Sequence, residues 1–221
     1  MFATQMKLPF TPGQFLDIFR EYNESVFPMQ LVFYLAAIAA LVFVVKGNSK
    51  SGKPVSWLLA LLWLWMGIVY HIIFFSAINK AAFAFGSFFI IQGLVFLYNG
   101  VLKNNLSFRF RRTFTGYMGL LMIIFALLIY PVLGFQFGHV YPSAPTFGLP
   151  CPTTIFTFGL LMMNEKKIPF YLLVIPVLWS LIGFSAALTL GITEDTGLII
   201  AGLVMLASVI AGKRKLSPAI M

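Results

Sequence analysis

The chain has 221 residues; 60% are hydrophobic, only 10% are charged, and the net charge is +9. A soluble domain runs at about 45–50% apolar and about 25% charged, so a soluble module is excluded. The basic residues sit in short stretches between apolar runs, which argues against a nucleic-acid surface.

The chain opens with an amphipathic segment, residues 1–25. In "TPGQFLDIFREYNESVFP", Thr11 is placed as an N-cap, Pro12 suits the first helical position and Gln14 completes a capping box. Phe15, Ile18, Phe19 and Tyr22 share one face, with Asp17, Arg20, Glu21 and Glu24 on the other. Two readings fit: a helix lying in the outer membrane interface, or a lid packed over the bundle.

Residues 26–212 form one membrane domain, because apolar runs of about 18 or more residues mark membrane spans. The first run, 26–45, is followed directly by Lys46 and reads as a retained span, not a cleaved signal. The others are 57–78, 81–102, 114–134, 152–163, 168–190 and 197–211. The expected fold is therefore an all-α polytopic bundle of about seven transmembrane helices. Residues 213–221 form a basic tail.

Loop charge sets the orientation. Lys46, Lys50, Lys53, Lys103, Arg109, Arg111, Arg112, Lys166, Lys167, Lys213, Arg214 and Lys215 fall on one side, twelve of the fifteen basic residues. The opposite side carries Lys7, Arg20 and Lys80 with five of the six acids. The N-terminus is thus expected outside and the C-terminus in the cytoplasm.

Polar groups inside a bilayer each need a partner. In the second span Gly67, His71, Phe75 and Asn79 follow at i, i+4 steps and face the bundle. His71 reads either as a ligand or proton-carrying group or as a neutral histidine bonded to another helix. Gln92 and Asn99 read as interhelical bonds. Ala82, Gly86 and Gly93 give the third span a small face for close packing. Trp57 suits an interfacial anchor, Trp63 and Trp65 suit packing, and Pro131 and Pro176 suit kinks.

The fifth apolar run is too short to cross about 30 Å of hydrocarbon. Before it lies "GHVYPSAPTFGLP", which is expected to dip below the outer surface as a proline-stiffened hairpin. Pro152 then starts a half-helix, with Cys151 at or near its N-cap and Thr153 in its first turn. A helix N-terminus attracts anions and lowers a thiol pKa. The hairpin would floor an outward cavity, with His71, Asn79, His139, Tyr141, Cys151 and Thr153 as candidate ligand-binding residues. His71, His139 and Cys151 can supply a copper or zinc site, although no local spacing supports one. The Cys-Pro pair can also ligate haem. The plain alternative is a buried cysteine under a rigid cap.

The last span has no lysine for a retinal Schiff base. There is no phosphate loop, zinc-protease motif or selectivity filter. The spans carry no acid of the kind coupled transporters use, and Glu194–Asp195 reads as an exposed pair capping the last helix.

The segments "YNESVFPMQ", "WMGIVYHIIFFSAINKAAFAFG" and "YPSAPTFGLPCPTTIFTFG" resemble a family of small bacterial multi-pass membrane proteins known only as a domain of unknown function. The resemblance implies a bacterial cytoplasmic (inner) membrane protein and supplies no activity, substrate or cofactor. Three functions remain open. One is a small transporter or ion- or ligand-binding protein with an outward cavity. Another is a non-catalytic accessory or assembly subunit, and the third is a redox protein holding metal or haem. An enzyme is the less favoured class. The expected partners are the lipid bilayer, a small polar or ionic ligand, and a second copy or a larger membrane complex.

Overall fold

A computed structural model describes residues 8–47 and 51–215. These residues fold as helices joined by short connections, with only isolated β-bridges beside them. Helix α1 spans Pro12–Val26, α2 Met29–Val45, α3 Gly52–Ala77, α4 Ala82–Leu102, α5 Phe114–Gln136, α6 Pro150–Met162, α7 Tyr171–Leu190 and α8 Thr196–Lys215.

Among the described residues, five helices are long and apolar enough to cross a membrane: α3, α4, α5, α7 and α8 with its preceding turn. A sixth crossing arises if α1 and α2, bent by 82° at Phe27–Pro28, count as one. Proline there has no N–H and restricts the residue before it, so α1 ends. The helix of the first apolar run accordingly begins at Met29, not at residue 26. Residues 1–7 and 216–221, parts of the expected N-terminal segment and basic tail, lie outside the described residues.

Helix α1 packs its apolar face on the bundle. Thr11 and Gln14 form the capping box reciprocally. Ile18, Phe19 and Tyr22 are buried against the bundle, while Asp17, Arg20, Glu21 and Glu24 are exposed. Trp65 of α3 donates its indole N–H to the Tyr22 hydroxyl at 2.8 Å. Asn23, fully buried, fastens the lid to the proline-rich hairpin. Its amide donates to the carbonyls of Pro142 (2.6 Å) and Ala144 (2.8 Å), and its oxygen accepts from the Thr146 hydroxyl (2.7 Å).

Helix α6 is the centre of the bundle. Every residue from Pro152 to Met162 is buried, and the helix packs on α5, α7 and α8. It has no polar face to offer solvent, which is what a fully enclosed helix requires. At thirteen residues it is about 20 Å long, short of the hydrocarbon thickness. The hairpin before it folds into the bundle at its end: Phe147 and Leu149 are buried, and Gly148 turns the chain at φ 102°. The helix begins at Pro150 with Leu149 as N-cap, two residues earlier than expected. Pro150 takes the first helical position as readily as Pro152 would, so Cys151 lies in the first turn.

Two glycine crossings hold the layers together. A Cβ on Gly67 or Gly86 would sit 2.8 Å from the other's carbonyl oxygen, so α3 and α4 meet backbone to backbone there. A Cβ on Gly119 would lie 2.5 Å from the Gly159 carbonyl oxygen, and the reverse approach is 2.7 Å. The α3 stretch Met66–Phe74, the α4 stretch Leu97–Leu102 and the α5 stretch Phe125–Ile129 are π-helical. The last precedes Pro131, whose ring would crowd a regular helix's carbonyl four residues back.

Large apolar side chains such as Leu35, Leu128 and Leu188 cover the outer surface and are more than 60% exposed. So extensive an apolar exterior suits lipid, not water. At the basic end, Arg111 bonds Glu165 at 2.6 Å and the Arg109 N–H donates to the Met163 carbonyl, closing the α4–α5 and α6–α7 connections over each other.

Candidate functional site

The site begins with a turn. Helix α7 ends where Gly191 adopts φ 77°, and both Gly191 and Ile192 donate their N–H groups to the Ala187 carbonyl. A left-handed glycine satisfies the last carbonyls and reverses the chain sharply. Ile192 is buried, and the turn Thr193–Asp195 then folds into the bundle. Its two acids go in with it: Glu194 is 1% exposed and Asp195 6%. The expectation of an exposed capping pair is therefore overturned. The loop is too short, and too firmly anchored by Ile192, to hold both carboxylates in solvent.

Each acid has partners from elsewhere in the chain. Glu194 Oε1 lies 2.8 Å from His139 Nδ1, in a pocket that Gly134 leaves open. Asp195 Oδ1 accepts from the buried Tyr130 hydroxyl, and the Cys151 thiol lies against the same carboxyl. Among the described residues no lysine or arginine pairs with either acid. Removing a carboxylate from water without a cation costs several kcal/mol. Here the hydroxyl bond, the histidine and the nearby N-terminal ends of α6 and α8 offset part of that cost. Glu194 Oε2 is left without a partner.

Asp195 and Cys151 line a cavity of about 390 Å³ between α1, α3, the start of α6 and α7. Its walls are aromatic and aliphatic: Phe15 and Phe19 from the lid, Tyr70 and Phe75 from α3, Phe85 from α4 and Trp179 from α7. Leu181 and Ile182 at its rim are also exposed on the outer surface of α7. The cavity thus reaches the apolar outer surface of α7 at these two residues.

The residues expected from sequence divide. Cys151 and Asn79 both line this cavity. The Asn79 side-chain oxygen also accepts the Ala81 N–H at 3.0 Å and so shapes the α3–α4 turn. His139 joins the site indirectly, as the partner of Glu194. Tyr141 is 52% exposed on the hairpin, with its hydroxyl 3.5 Å from the Asn23 carbonyl. Thr153 is fully buried, and its hydroxyl oxygen accepts the Gly148 N–H at 3.0 Å, so it stiffens the hairpin.

His71 is fully buried and is not among the cavity's walls. Its Nδ1 is 2.9 Å from the Met66 carbonyl of its own helix. A carbonyl only accepts, so Nδ1 carries the proton and Nε2 holds a lone pair with no partner. The bond stays within α3 and does not cross to another helix. Trp179 packs edge-on against His71 at 5.3 Å, and its indole nitrogen and the Cys151 sulfur both flank Gly183. His71, His139 and Cys151 do not converge. Among the described residues no three His, Cys, Asp or Glu side chains are arranged to hold a metal ion.

The polar assignments elsewhere fit the packing readings. Gln92 donates to the Leu172 carbonyl at 3.1 Å, Asn99 accepts from Tyr171 at 2.6 Å, and Trp63 donates to Thr157 at 3.0 Å. Sequence reasoning took Glu194 and Asp195 for an exposed pair and did not single out Tyr130 or Trp179. The available signal was two adjacent acids in a five-residue connection between apolar helices, with no basic residue beside them.

Comparison with protein families places the chain in a family of unknown function (DUF6064), whose model matches residues 12–218. The match covers nearly the whole chain, and the protein belongs to this family. Comparison with curated proteins and with solved structures finds no match.

Proposed function

We propose that this member of the family is a seven-span protein of the bacterial cytoplasmic membrane that takes a small ligand into an outward-facing cavity. It belongs, on this reading, to the transporter or ligand-binding class. The seven spans are α2 to α8, counting the short α6 together with its hairpin. The charge asymmetry of the loops supports an outside N-terminus and a cytoplasmic C-terminus.

One observation carries the reading: an apolar cavity large enough for a small molecule ends on a buried carboxylate and a thiol. Ligand sites are typically concave and mostly apolar, with a few polar groups that fix orientation. Buried ionisable groups in a membrane bundle mark function by default. The lateral mouth favours a ligand that partitions into the outer leaflet and moves from there under α1.

A thermal-shift screen of amphipathic small molecules against the protein in nanodiscs tests this. Binding stabilises the folded state, so ligands should raise the Tm of the wild type. They should leave Ala186→Trp, which fills the cavity, unshifted. No stabilising compound, or equal shifts in both proteins, would overturn the reading.

A further inference from the structure

We infer that the cavity selects a hydrophobic cation, an organic ammonium with an apolar body; this rests on the cavity reading above. Three features lead there. Asp195 presents a buried carboxyl to the cavity, and among the described residues no lysine or arginine lines the cavity or pairs with that carboxyl. An anionic ligand would meet no compensating charge and would be repelled by Asp195. A cation would supply the counter-charge that the hydrogen-bonded carboxylate lacks.

The second feature is the aromatic lining. Tyr70, Phe75, Phe85 and Trp179 line the same cavity as Asp195, together with Phe15 and Phe19 of α1. Aromatic faces carry negative charge density and attract alkylammonium groups, most strongly where water is excluded. The third is the mouth at Leu181 and Ile182, which admits a molecule with enough apolar surface to approach through lipid. Small inorganic cations satisfy the first feature but neither of the others.

The test compares two probes of one shape. Benzyltrimethylammonium is permanently charged, and neopentylbenzene is its neutral carbon isostere. Each is measured by equilibrium binding to the full chain in nanodiscs, with empty nanodiscs subtracted. Wild-type protein is expected to bind the cation at least about tenfold more tightly. Asp195→Asn should close that gap while leaving the neutral probe's affinity unchanged, which also shows that the variant is folded. Equal binding of the two probes by the wild type, or a gap that survives Asp195→Asn, would overturn the cation assignment while leaving the cavity reading intact. Binding of neither probe would sink both. The wild-type comparison decides the matter even if Asp195→Asn fails to fold.

Discussion

At the scale of single residues, the account turns on how Asp195 is tolerated inside an apolar bundle. Its carboxyl takes the Tyr130 hydroxyl from α5 and lies against the Cys151 thiol from α6. Tyr130→Phe removes one donor and leaves the buried oxygen short of a partner. The expected loss is about 1–3 kcal/mol, read as a lower Tm in detergent; an unchanged Tm would argue that the bond contributes nothing. The acids were the least legible part of the sequence. Their partners Tyr130 and His139 stand 65 and 55 positions away, so no local spacing announces them. Cys151 was legible because prolines and a helix start surround it. His71 was legible as buried but not as self-bonded, since a π-helical turn puts the Met66 carbonyl within its reach.

At the scale of elements, α1 was readable in detail. Its capping box and amphipathic face follow from local spacing, and Ile18, Phe19 and Tyr22 on that face are buried against the bundle. What fastens the lid was hidden, because Asn23 reaches hairpin carbonyls about 120 positions on. Asn23→Ala strips donors from buried carbonyls, and should cost about 1–3 kcal/mol and raise proteolysis of the 138–149 hairpin. Unaltered protease resistance would contradict its role as a fastener. Helix α6 was predicted from its shortness, and its start shifted by two residues because both prolines satisfy the first-turn geometry. The loop clamp at the other end has its own pH signature. The Arg111 bond holds the Glu165 carboxyl below its ordinary value near 4.5. A depressed carboxyl contributes stability that is present above its unfolded pKa and fades as pH falls through its folded one. Arg111 is 63% exposed, so solvent screening keeps the contribution small. Glu165→Gln should slightly flatten the fall in Tm between about pH 5 and pH 3. An acid limb identical to wild type would remove the clamp.

For the whole molecule, the apolar helices and the charge asymmetry were plain from composition, because lipid imposes both. Asn79 and Cys151 were expected in a cavity beside the hairpin and both line this one, but its aromatic walls were not foreseen. They come from α1, α3, α4 and α7 converging at one level, and helix periodicity does not encode which faces meet. The bundle therefore presents an apolar chamber in which, among the described residues, Asp195 is the one charged residue of the lining. Modification by dicyclohexylcarbodiimide, an apolar reagent that partitions into membranes and attacks protonated carboxyls, tests this most directly when run at mildly acidic pH. Mass spectrometry of the modified protein should place the adduct on Asp195 in the wild type and find it lost in Ala186→Trp, where the chamber is filled. Absence of an adduct at Asp195, or equal modification in both proteins, would contradict the account.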